Sequence, residues 1–132
     1  RRFPGNVADS EPETEFQKWL IETYQPKKIL SVHAPLNFLD YDGPNNMALD
    51  RFSKEYVQEC LKLRSRLNAT HGGFFPGSLG NYAGQERGIP TITLELPSAD
   101  HRKAHSFWLK FQLGIKDMIQ FQVPQPQATK NG

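Results

Sequence analysis

The chain has 132 residues and a formal charge of +2; 37% of its residues are hydrophobic and 11% aromatic. That is enough apolar surface for one core and too much for wholesale disorder. Basic and acidic residues are interspersed, which argues against an electrostatic nucleic-acid or membrane-surface binder, and no apolar run approaches the ~20 residues that span a bilayer.

The opening Arg1-Arg2-Phe3-Pro4-Gly5-Asn6 has neither signal-peptide nor targeting character. Lacking an initiating Met, it reads as a start from which the natural N-terminus has been removed. Ser10 is placed to cap a helix, with Glu13 three residues on and Pro12 in the first turn. Phe16, Trp19, Leu20 and Tyr24 recur at helical spacing, so a helix is predicted over 11–24, ended by Pro26. The run 28–33 (KILSVH), bounded by Pro26 and Pro35, predicts a strand. Residues 34–46, with Pro35, Gly43 and Pro44, read as a long loop.

A second helix is predicted over 47–67, with Phe52, Tyr56, Cys60 and Leu63 on one face. A glycine-rich loop follows over 71–77, and Ser78 caps a short helix that Gly88 closes. The run 90–96 (PTITLEL) alternates cleanly, with Thr91, Thr93 and Glu95 facing one way and Ile92, Leu94 and Leu96 the other. A last helix over 100–120 aligns Ala104, Phe107, Trp108, Phe111, Ile115 and Met118, and residues 124–132 form a loose polar tail.

Helices alternating with strands predict an α/β fold built on a mostly parallel sheet with helices on both faces. Two strands are too few to cover four helices. Residues 1–123 are therefore expected to be the C-terminal part of a larger domain whose other strands lie upstream.

His33 and Glu95 both fall at the C-terminal end of a predicted strand, where ligand sites collect in open parallel sheets. An imidazole there suits zinc, and a carboxylate beside it suits general-base work on a water. Each residue also has a plain reading, a hydrogen-bonded histidine and a solvated glutamate. His101 and His105 share one side of the last helix but flank Arg102 and Lys103, which disfavours a cation. His71 falls in the glycine-rich loop. The single cysteine, Cys60, excludes an internal disulfide and a multi-cysteine zinc site. No serine has a nucleophile-elbow context, and the glycine-rich loop matches no phosphate-binding fingerprint.

Several strings in order carry a family resemblance: Arg1-Arg2-Phe3-Pro4-Gly5, Ser10-Glu11-Pro12-Glu13-Thr14, Leu30-Ser31-Val32-His33-Ala34-Pro35-Leu36, Pro76-Gly77-Ser78-Leu79-Gly80 and Ile92-Thr93-Leu94-Glu95-Leu96-Pro97. They resemble the carboxypeptidase A-type zinc peptidases, and within them the bacterial murein peptide amidase A branch, up to about the last helix. The resemblance implies zinc as cofactor, His33 as a zinc ligand, Glu95 as general base and Arg1 as the residue that binds the substrate's terminal carboxylate. It also implies a small cell-wall peptide as substrate, cut at the γ-D-glutamyl–meso-diaminopimelate bond, in a bacterial cytoplasm or periplasm. Three features depart from the family pattern. The His-x-x-Glu zinc motif and the Asn before the arginine are absent, and Gly73 stands where relatives place a tyrosine. One credible ligand is fewer than a catalytic zinc requires, so these residues alone are expected neither to hold zinc tightly nor to turn over substrate. The missing N-terminal half is the partner so implied. A related amidase or deacylase, or a non-catalytic binding domain on the same scaffold, are the alternatives.

Overall fold

The computed structural model describes residues 12–70 and 77–125. Arg1, the Ser10 cap, His71 and the tail beyond Gln125 lie outside the described residues. Helix α1 (Pro12–Tyr24) leads to strand β1 (Ile29–His33), strand β2 (Phe38–Asp42) and a 3-10 turn, Asn46–Ala48. Helix α2 (Lys54–Leu67), a π-helix (Gly80–Glu86), strand β3 (Thr91–Glu95), a second 3-10 turn (His101–Lys103) and helix α3 (Ala104–Gln120) complete the described chain.

The strands form one sheet in the order β1-β3-β2. β1 runs parallel to β3, but β2 runs antiparallel to it, which corrects the mostly parallel sheet predicted from sequence: the described sheet is mixed. Its cause is β2 itself, which occupies the stretch predicted as loop. Leu39 and Tyr41 alternate there with Asp40 and Asp42, a period-2 signal hidden by the β-disfavouring aspartates and by the flanking Pro35, Gly43 and Pro44.

Alternation along the strands gives the sheet two unlike faces. Leu30, Leu39, Tyr41 and Ile92 share one face and join the main core, in which Tyr56, Val57, Cys60 and Leu63 of α2 and Met118 of α3 are buried. The stripe Phe52, Tyr56, Cys60 and Leu63 thus lies inside, although α2 starts later than predicted. Ser53 caps it by accepting from the Tyr56 N–H, and Asn68 closes it in the left-handed region. Each fully buried aliphatic side chain stabilises the fold by about 1.5–3 kcal/mol. The α3 stripe is wetter than its spacing implies. Met118 is buried, Phe107, Phe111 and Ile115 are half-buried, and Ala104 and Trp108 are exposed.

The opposite face carries Ile29, Ser31, His33, Thr91, Thr93, Glu95, Asp40 and Asp42. Near its start, Ile29 packs with Ile21 of α1 and with Ala83 and Ile89. The π-helix approaches β2 closely because Gly80 and Gly84 lack side chains: a Cβ at either would overlap Asp42. Ser78 accepts from the Asn81 N–H at its start, and Gly88, at φ +74°, follows its end. Helices therefore lie on both faces of the sheet, as predicted.

Candidate active site

β1 ends at His33 and β3 at Glu95, and the parallel register makes these two residues direct partners on adjacent strands. Neighbouring strands lie about 4.8 Å apart. Partners in register point to the same side, so the imidazole and the carboxyl start from adjacent positions on the polar face. Phe38 opposes Glu95 from β2, and Ser31, Thr93 and the buried Asp40 form the row behind.

The link continues past the strand ends. The Leu96 N–H donates to the His33 carbonyl at 2.8 Å, and the Asn37 N–H donates to the Leu96 carbonyl. The turn from β1 to β2 includes a cis Ala34–Pro35 bond and Asn37 at φ 55°. It brings the Leu36 N–H to within 3.4 Å of Glu95 Oε2, which accepts from it. Ser31 Oγ lies 2.9 Å from His33 Nε2. His33 is exposed and Glu95 half-buried.

Two cavities open at this end of the sheet. One of about 380 Å³ lies between the sheet and α3, lined by Leu30, Leu94, Phe111 and Met118 with Glu95 at its polar rim. His33 borders a separate cavity of about 320 Å³ with Leu96, His101 and Phe107. The register brings the two residues side by side, yet they face different hollows.

A catalytic zinc takes three protein donors. Among the described residues no group of three His, Cys, Asp or Glu converges, so His33 and Glu95 do not make a zinc site by themselves. His101 and His105 are both exposed, and Cys60 is buried. Sequence reasoning passed over Ser31 as a partner of His33, although two residues apart on a strand means one face. Among the described residues no helix is long and apolar enough to cross a membrane.

A mixed sheet with helices on both faces also has a likeness among solved structures. The chain is similar to the murein-tripeptide amidase MpaA of Escherichia coli O157. The match has a TM-score of 0.54 and 25% identity, and covers 84% of this chain and 42% of MpaA. The chain thus spans less than half the length of MpaA. No protein-family model matches the sequence, and no curated protein matches it.

Proposed function

We propose that this chain is part of a hydrolase that cleaves a peptide amide bond next to a free carboxylate. The bond is the γ-D-glutamyl–meso-diaminopimelate linkage of murein peptides. Glu95 acts as general base: its carboxylate takes a proton from the attacking water and returns it to the leaving amine. His33 is one ligand of a zinc ion whose other donors come from outside the described residues. Zinc, when bound, would polarise that water. Arg1 binds the substrate carboxylate, a task for which its guanidinium fork is suited.

One observation carries this reading: the pairing of His33 with Glu95 at the strand ends of a fold similar to that of MpaA. The same reading assigns the free edge of β1 a partner, the rest of a larger sheet. In the intact protein, Glu95→Gln is expected to lower hydrolysis of the tripeptide by about 10²–10⁴-fold with zinc content unchanged, and His33→Ala to lose the zinc. Arg1→Ala should raise KM for a carboxylate-bearing peptide and leave a neutral amide unaffected. Undiminished turnover in Glu95→Gln would remove Glu95 as the base.

A second reading is a binding scaffold without metal. Elemental analysis after zinc reconstitution separates the two. Metal bound in stoichiometric amount supports the hydrolase; none supports the scaffold.

A further inference from the structure

An imidazole at the exposed end of a strand can turn about its two side-chain torsions and can place its single neutral-state proton on either nitrogen. Its chemistry depends on which nitrogen is left with a lone pair. His33 is in that situation, since it ends β1 and its side chain is exposed.

Ser31 restrains the first of these freedoms directly. It lies two residues earlier on β1, on the same face, and its Oγ is 2.9 Å from His33 Nε2. β1 and β3 lock the backbone of both residues, because Ser31 pairs with Thr93 and His33 with Glu95. Ser31 is half-buried, and its hydroxyl can accept from the Nε2–H or donate to an Nε2 lone pair, so the contact holds the ring in place in either tautomer. With Nε2 engaged by Ser31, Nδ1 is the nitrogen left for other work.

We propose that Ser31 is a positioning residue that accepts from the His33 Nε2–H, fixing the ring in that tautomer and reserving the Nδ1 lone pair for the ligand or proton that His33 handles. The catalytic use of this lone pair rests on the hydrolase reading above. The Ser31–His33 arrangement itself does not.

The test is nitrogen-15 NMR of His33 in the intact protein, at a pH where the ring is neutral, for wild type, Ser31→Ala and Ser31→Thr. The expected wild-type spectrum shows one tautomer, protonated at Nε2. Ser31→Ala should shift it to a mixture of both tautomers, and Ser31→Thr, which keeps a hydroxyl on the same carbon, should restore the single form. Circular dichroism checks that each variant is folded. Identical tautomer balance in wild type and Ser31→Ala overturns the proposal, as does a wild-type ring protonated at Nδ1. As a second readout, Ser31→Ala should lower kcat by about 10-fold at unchanged KM, with recovery in Ser31→Thr. Undiminished Glu95→Gln turnover would sink the general base, whereas an unchanged His33 spectrum would sink only the role of Ser31.

Discussion

Tyr56 ties the core to the segment that leads into the central strand. Its ring is buried beside Phe52 at a centroid distance of 5.9 Å, and its hydroxyl donates to the Gly88 carbonyl at 2.5 Å. Tyr56→Phe would keep the ring and leave that buried carbonyl without its donor, so it should cost about 1–3 kcal/mol in urea unfolding. Its neighbour Cys60 titrates abnormally, because burial pushes the thiol up to about 11. The folded chain therefore keeps a proton that the unfolded chain releases above the ordinary thiol value of about 9. Stability is expected to fall as pH rises from there toward 11. Burial also raises the Tyr41 and Tyr56 phenols, with the same sign. The part of the decline that Cys60→Ala abolishes belongs to the thiol. Single residues were unevenly legible in the sequence. His33 and Glu95 stand out in the sequence because each falls at the C-terminal end of a predicted strand, whereas the contact of Ser31 with His33 and the burial of Asp40 emerge only from the strand pairing. Arg1 lies outside the described residues and rests on the resemblance alone.

Among elements, α3 depends on a side chain far from it in the chain. Lys28, just before β1, donates to the Ile119 carbonyl at 2.6 Å and to the Phe121 carbonyl, supplying the end of the helix with a donor it otherwise lacks. Lys28→Met keeps the stem and removes the charge. It should cost about 1 kcal/mol, and the amides of the last turn of α3 should exchange faster with deuterium. The Arg66–Asp117 pair between α2 and α3 is bidentate but more than one-third exposed on each side, so solvent screening leaves it a small contribution. Helices and the β1 and β3 strands were legible because their apolar spacing is regular and their ends carry caps or prolines. β2 was not, because a short strand with two aspartates satisfies the same local rules as a loop until β3 pairs with it.

On the scale of the whole molecule, the apolar surface is unevenly covered. Phe16, Trp19 and Tyr24 of α1 remain more than half exposed, with Phe16 and Trp19 stacked at 6.0 Å. Val32 at the free edge of β1 and Leu113 of α3 are likewise exposed. Surface of this kind marks an interaction site or an association hazard. The 132-residue chain by itself is expected to bind a hydrophobic dye and to associate with rising concentration, as measured by sedimentation. Trp19→Lys with Leu113→Lys should reduce both without lowering the unfolding midpoint. A monomeric, dye-dark chain would show that this surface needs no cover.

The strand order also governs when the sheet can assemble. Among the described strands β3 is made last, yet it is the one that pairs with both others. A polypeptide emerging from the ribosome leaves the edges of β1 and β2 that pair with β3 unsatisfied until Thr91–Glu95 has been synthesised. A product truncated before that point lacks the strand that pairs with both, and its exposed strand edges invite chaperones and proteases.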